Sequence, residues 1–454
     1  MTFEQLVAEG NQCIENQQPR QAIPYFMQVL QADPKHVAAL AGLAKATLQL
    51  NDIDNAWQML QMALALAPDD PDVLNAAGYA RLAFGDSEGA VEKFEAALAH
   101  RQDDPGILLN LASALCGTGD NDRAGDIYQR LESEGRADAT SRYNHSLLLL
   151  LQGRLTEAWP GFELRGQATN TGLRQRKLPG QPWDGAAQPK DSLLIHAEQG
   201  LGDNIQFIRY VALISDRVGR VVVEAPKALF DLFASVAGID ELIPQGDEIP
   251  FCEWHASVMS LPALCATSED RIPAEVPYLS VETAAVERWH QKIGQGDGRL
   301  HVGLVWAGNP GHRRDRERSI SLRSLMPALE AQQGLAFHAF QIGEPLEQIR
   351  DTAGATEINV LFPKPQPFTE VAAALSAVDL LISVDTALAH LAGALGLPVW
   401  TLISRIPDWR WLLDRPDTPW YPSMRLFRQP VPGDWDSVAK SVGEALANDL
   451  PRRG

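Results

Sequence analysis

Two rhythms of apolar and polar positions divide the chain. Up to about residue 166 the apolar positions fall at helical spacing, and the pattern repeats. Ala22, Ala56, Ala90, Ala124 and Ala158 are each 34 residues apart, and four positions after each stands Phe26, Leu60, Phe94, Tyr128 or Phe162. Small residues stand earlier in each unit, at Gly10, Ala44, Gly78 and Ala112, while Pro34 and Pro68 close the first two units. Gly85, Gly119 and Gly153 fall between the two helices of units three to five. A helix pair of this size cannot bury its apolar face alone, so five such units must stack. From residue 192 the rhythm changes to short apolar runs alternating with amphipathic stretches. Strands are expected at 192–197, 219–224, 301–306, 336–342, 379–384 and 399–403, and helices at 204–215, 226–235, from 319, and at 368–378, 387–395 and 435–446. That alternation predicts doubly wound parallel sheets. Between the two patterns, 167–190 is rich in Gly, Pro, Gln and Thr and reads as a linker or strap, with Trp183 pinning it to a surface.

The candidate chemistry lies in the loops that follow the strands. Asp385 and Thr386 stand at the junction between one apolar run and a small-residue helix closed by Gly396 and Pro398, with His390 on its first turns. In open α/β sheets ligands bind at the carboxyl ends of strands, and a helix N-terminus favours phosphate. Gln199-Gly-Leu-Gly-Asp203 follows the first strand. It lacks the third glycine of a dinucleotide fingerprint. It reads either as a tight turn with Asp203 as helix N-cap or as a turn presenting Asp203 to a cleft as general base. The run after 301–306 contains Asn309 and four arginines within six positions, Arg313, Arg314, Arg316 and Arg318, which suits a diphosphate or else a solvated loop. Gln341 ends the next strand, where a base or ribose would rest. Two readings of the aromatic segment 407–423 stay open, covering a base or packing a long loop. Asp434-Trp-Asp436 has metal-binding spacing but precedes a helix, so capping is the expected role. A glycine-rich stretch at 294–298 suggests a hinge between two α/β halves.

Composition narrows the partners. Thirty-nine Lys and Arg against 58 Asp and Glu leave a net charge of −19, with no broad basic field for nucleic acid or an anionic membrane. No apolar run approaches the length of a membrane span. The first residues lack the basic and apolar regions of a signal peptide. Four scattered cysteines, at 13, 116, 252 and 265, suggest a reducing compartment, and a cytoplasmic location is expected. Cys252 and His255 have ligand spacing without a second pair, so no metal site is expected. Residues 1–166 hold 23 acidic and 12 basic residues, which suits either a neutral or basic protein partner or plain solubility. The array could equally serve only to dimerise the chain.

The 34-residue unit, with small residues at helix crossings and a large knob after them, resembles the tetratricopeptide repeat. The later part, with Gly200-Leu-Gly-Asp203, Asn309 and Arg318-Ser319, and Asp385-Thr-Ala-Leu-Ala-His-Leu-Ala-Gly393, resembles glycosyltransferase family 9, the heptosyltransferase type. Together they are similar to bacterial repeat-fused glycosyltransferases that modify flagellin. The expected fold class is therefore α plus α/β: a tetratricopeptide α-solenoid followed by a GT-B fold of two Rossmann-like domains. The expected boundaries are 1–166 for the repeats, 167–191 for the linker, 192–296 for the acceptor-side domain, 297–430 for the nucleotide-sugar side and 431–454 for a terminal helix. The resemblance implies Asp203 as base on the acceptor hydroxyl, with Gln199, Gly200 and Gly202 forming an acceptor-side loop. It implies that Asn309, Arg316, Arg318, Gln341, Asp385, Thr386, Ala387, Leu388 and His390 surround the donor. Arginine stands where the heptosyltransferases usually carry lysine, in a longer arginine-rich loop. The implied function is inverting transfer of a sugar from a nucleotide sugar to a protein hydroxyl, without cofactor or metal, with flagellin the best acceptor. The alternative is a non-catalytic repeat scaffold with a degenerate nucleotide-sugar domain. The joint presence of Asp203, Arg318, Asp385 and His390 favours the enzyme.

Overall fold

The computed structural model describes residues 1–449 apart from 170, 174, 175, 295 and 313. Arg313, Gln295 within the glycine-rich stretch, and residues 450–454 thus lie outside the described residues. Two compact units form. One comprises Met1–Leu148 with Gly161–Gly172, and the other Leu149–Pro160 with the chain from Leu173 onward.

The first unit is an array of antiparallel helices: α1 (Phe3–Glu15), α2 (Pro19–Ala32), α3 (Val37–Gln49), α4 (Ile53–Leu66), α5 (Pro71–Ala83), α6 (Ser87–His100), α7 (Pro105–Thr118), α8 (Asn121–Ser133) and most of α9 (Ala139–Leu151), while α10 (Leu155–Phe162) falls mainly in the second unit. The five alanines of the 34-residue period are fully buried, and Phe26, Leu60, Phe94, Tyr128 and Phe162 are buried with them. The small residues are explained by those knobs. A Cβ on Gly10 would lie 2.6 Å from the Phe26 ring and one on Gly78 2.6 Å from the Phe94 ring; at Gly42 it would fall inside the van der Waals envelope of Phe26. Much of the acidity of this unit also has a local cause. Asp52, Asp70, Asp86, Asp104 and Asp120 each cap a helix, their carboxylates accepting first-turn amides. Gly85, Gly119 and Gly153 take the left-handed backbone, φ 82°, 85° and 78°, that lets each pair reverse.

The second unit holds two wholly parallel sheets. The first contains β1 (Gln181–Pro182), β2 (Gln188–His196), β3 (Val218–Ala225), β4 (Glu241–Pro244) and β5 (Trp254–Ser257), in the order β1-β5-β2-β3-β4. The second contains β6 (Leu300–Val305), β7 (Leu335–Ala339), β8 (Asn359–Val360), β9 (Leu380–Val384), β10 (Val399–Ile403) and β11 (Met424–Arg428), in the order β11-β10-β9-β6-β7-β8. Its central strands are buried at every residue, because helices cover both faces, and so they appear in the sequence as mainly apolar runs, each with one buried polar residue (His301, Ser383, Thr401). Each sheet has one point where the strand order reverses: between β2 and β5 in the first, between β6 and β9 in the second. Those points fix where a ligand crevice can open.

Several expectations are corrected, and the capping role expected of Asp434 is borne out. The stretch before residue 191 is not a mere strap. Gln181–Pro182 pairs with β5 at Gln181↔Trp254 and Pro182↔His255, and the buried Trp183 donates to the Ala186 carbonyl at 2.9 Å. The helix expected at 204–215 starts earlier, as α11 (Leu201–Phe207), and continues in broken turns to Arg217. The helix expected at 226–235 shrinks to single turns. Cys252 packs in an apolar cluster with Leu194, Val222 and Ile243. Asp434 caps the Trp435–Asn448 helix through the Ser437 amide at 3.0 Å. Among the described residues no helix is long and apolar enough to cross a membrane.

The Phe26 knob yields a sign reversal. Gly→Ala inside a helix ordinarily stabilises by ~1 kcal/mol. Gly42→Ala should instead destabilise the array by ~1–3 kcal/mol through overpacking against the Phe26 ring, read as a lower thermal midpoint in far-UV dichroism. A midpoint equal to or above wild type would refute the packing argument.

Candidate active site

The chain leaving β2 turns at Gln199, exposed and left-handed at φ 62°, and Gly200 becomes the N-cap of α11. Asn204 holds this turn by donating to the carbonyls of Glu198 and Gly200 at 2.9 and 2.7 Å. Asp203 is the third residue of the helix, not its N-cap. One carboxylate oxygen accepts the Gly200 amide at 2.8 Å, and the other pairs with Arg410. Burial pushes the Asp203 carboxyl up, against the opposing pull of Arg410.

The chain leaving β9 passes Asp385 and enters the Ala387–Ala394 helix. Thr386 is its N-cap, but the hydroxyl meets Ser383 Oγ at 3.1 Å instead of capping the first turn. The start of the helix is therefore left to other acceptors, with its positive dipole end at the crevice. Residues 385 to 388 are half-buried there. Arg318 lies across the exits of β6 and β9. Its Nε donates to Asp315 at 3.2 Å and its Nη1 to the Asp385 carbonyl at 3.1 Å, and a Cβ on Gly308 would collide with its guanidinium. This sets a cation at the switch point of the second sheet. Asp385 is pushed up to about 6, first by burial and then by the nearby Asp408.

The two switch points face each other at one close approach. A Cβ on Gly202 would lie 2.9 Å from the His390 ring and 3.5 Å from the Ala387 Cα, so α11 can rest on the Ala387–Ala394 helix only with glycine there. Arg410, on the loop after β10, closes the same junction. It donates to Gln206 at 2.6 Å and Asp408 at 2.8 Å and pairs with Asp203. Burial disfavours its charge, but Asp408 and Asp203 outweigh that and hold it firmly protonated.

The structure therefore brings together Gly200, Gly202, Asp203, Arg318, Asp385, Thr386, Ala387 and Leu388. Four expected donor residues stand differently. His390 is buried; its Nδ1 meets the Tyr421 hydroxyl at 2.9 Å, its ring stacks on Trp411, and burial pulls it down to about 3, so it is neutral and forms the wall beneath Gly202. Gln341 is also buried, its carbonyl oxygen accepting the Trp306 and Ala307 amides at 3.1 and 2.9 Å, and it fastens the exit of β6. Asn309 is exposed and closes a turn on the Gly311 amide at 2.9 Å, and Arg316 is exposed on its single helical turn. Arg314 is tethered to Glu317 and the Ile406 carbonyl. The aromatic segment is interior: Trp411, Trp420 and Tyr421 are fully buried, and Trp409 stacks on Phe207. Asp408 and Arg410 were passed over in the sequence. The one available signal was two charges set among tryptophans, which in a buried loop must find partners.

The chain matches two family profiles: the tetratricopeptide repeat at residues 14–78 and 81–144, and glycosyltransferase family 9 (heptosyltransferase) at 343–414. It is 26% identical over 457 residues to Protein FlbA of Caulobacter vibrioides, spanning 94% of this chain and 76% of that protein. Among solved structures it is similar to the tetratricopeptide-repeat protein TTC0263 of Thermus thermophilus (20% identity, 38% of this chain and 94% of that one, TM-score 0.34). It is also similar to the type IV pilus biogenesis factor PilW (19% identity, 38% and 79%, TM-score 0.33). Scores this low add nothing to the helical array seen directly.

The raised Asp385 has a stability consequence. An ordinary aspartate titrates at ~3.9. The folded chain therefore keeps a proton that the unfolded chain releases, and stability is lost as pH rises from ~4 to ~6. Asp385→Asn lacks that loss. Its thermal midpoint should fall less than wild type between pH 4 and 7; parallel curves would refute the assignment.

Proposed function

We propose that this chain, a tetratricopeptide-repeat protein with a glycosyltransferase family 9 domain, moves a sugar from a nucleotide-sugar donor to a hydroxyl group of a protein acceptor. The observation that carries the reading is the meeting of the two switch points: the helix bearing Asp203 rests at Gly202 on the start of the Ala387–Ala394 helix, whose entry residue Asp385 holds Arg318 through its carbonyl. In this reading the donor lies at the exits of β6 and β9. Its phosphates take the amides of the Ala387–Ala394 helix and the Arg318 guanidinium, which stabilise the charge that grows as the sugar–phosphate bond breaks. Asp203 accepts the proton of the acceptor hydroxyl while the hydroxyl oxygen bonds to the anomeric carbon. Attack opposite the leaving phosphate inverts that carbon. Arg318 and the helix dipole supply the positive charge that a metal gives other transferases, so the reading includes no metal. The repeats present the protein acceptor, with flagellin the first to try, and the reaction belongs in the cytoplasm, where scattered cysteines stay reduced.

A ligand of the folded state must raise the thermal midpoint, by ~2.7 kcal/mol of stability at a hundredfold excess over Kd. One of UDP-, GDP-, ADP- and CMP-linked sugars should produce that rise in wild type and lose it in Arg318→Ala. A panel that leaves the wild-type midpoint unmoved would refute the donor site and return the chain to the scaffold reading.

A further inference from the structure

The loop after β10 contains a cation that the transfer as described does not use. Arg410 is almost wholly buried, its side chain 7% exposed. Every edge of its guanidinium has a directed partner. Nε donates to the Gln206 side chain at 2.6 Å, Nη1 to Asp408 at 2.8 Å, and Nη2 pairs with Asp203. Its faces lie against two rings, Phe207 at 5.4 Å and Trp409 at 4.5 Å. Phe207 and Gln206 belong to α11, and Asp408 and Trp409 to its own loop. The guanidinium is therefore aimed by groups other than Asp203, and its fork would keep its direction if that carboxylate were absent. A planar fork can satisfy three partners at fixed angles; a lysine ammonium on a flexible stem cannot.

We propose that Arg410 is a positioning residue for the transfer: it holds Asp203 ionised, fixes the direction of its carboxylate and ties the acceptor-side helix to the donor-side loop. This rests on the reading of Asp203 as the base. A carboxylate taken out of water tends to keep its proton and cannot then accept another. Asp203 has two amides, of Gly200 and its own, and one full countercharge, Arg410, to oppose that tendency. The other groups around it do not replace Arg410. Asp408, from the same loop, is anionic and acts against ionisation. The Ala387–Ala394 helix brings His390, neutral, against Gly202. Asp385 acts on Arg410 itself, reinforcing its charge. The same side chain thus sets both the ionisation of the base and the seating of the helix that carries it.

The test measures nucleotide release from UDP-, GDP-, ADP- and CMP-linked sugars by the full chain, as kcat/KM against pH. Wild type, Asp203→Asn, Arg410→Gln and Arg410→Lys are compared. In Arg410→Gln the acid limb should move to higher pH by ~1 unit or more, the size expected for loss of an adjacent opposite charge. Between the two limbs that is ~10-fold less activity, recovering at higher pH. Arg410→Lys should keep the limb near its wild-type place but lower kcat, because charge is retained and the fork is lost. A uniform loss with the limb unmoved, or a raised donor KM alone, would overturn the proposal, the second by making Arg410 a donor contact. Should Arg410→Gln fail to melt cooperatively, Arg410→Lys decides: a lowered kcat at an unmoved limb supports the proposal and an unchanged kcat overturns it. Asp203→Asn at full rate, or wild type inert on every donor, would instead remove the functional reading itself, and this inference with it.

Discussion

Two helix starts from different sheets can be brought face to face only where no side chain stands between them, and Gly202 is that place. Its missing Cβ lets α11 settle on Ala387 and the edge of His390. Everything chemically useful in the second unit depends on that approach. Asp203 sits one residue beyond the glycine, Asp385 and Thr386 just before the opposing helix, and Arg410 reaches across. The residues that looked most like ligands are partly the supports of this junction. His390 is a neutral spacer between Tyr421, Trp411 and Gly202, and its burial is what gives the glycine something to rest on.

How much of this could be read from the chain follows from the range of each interaction. The helical array was legible because its rule is local and recurs: an alanine every 34 residues, a ring four positions later, and a small residue that the ring overlies. The central strands of the second sheet were legible because both faces are buried, so each is apolar but for one buried polar residue, His301, Ser383 or Thr401. β1, β4, β5 and β8 were missed because two to four residues are too few to show alternation, and β11 because Arg425 and Arg428 break its apolar run. The ends of β2, β6 and β9 were located to within a residue, since they are marked by local residues, whereas the start of α11 and the end of β7 were each misplaced by three. Which side chains face the crevice was not legible. Asp203 and Arg410 are 207 residues apart, and no periodicity carries information over that distance. Gln341 looked accessible at the end of a strand, but the strand stops at Ala339 and the side chain fastens β6.

The acidity of the repeats shows how a bulk property can have a local cause. A surplus of carboxylates suggests a basic partner, yet at five helix starts the aspartate is the group that satisfies the first-turn amides. Those charges stand at the loops that join successive helices, so the field they make is distributed along the array at each turn.

The pairing of Gln181–Pro182 with β5 changes what counts as the boundary of the α/β part. A chain cut just before Ser192 would leave the backbone of Glu253–His255 without its outer neighbour, as a bare rim ready to recruit another strand. The segment that looks like a tether by composition is a selvedge: it finishes the cloth of the first sheet, and an α/β half trimmed of it would be prone to stick to its own kind.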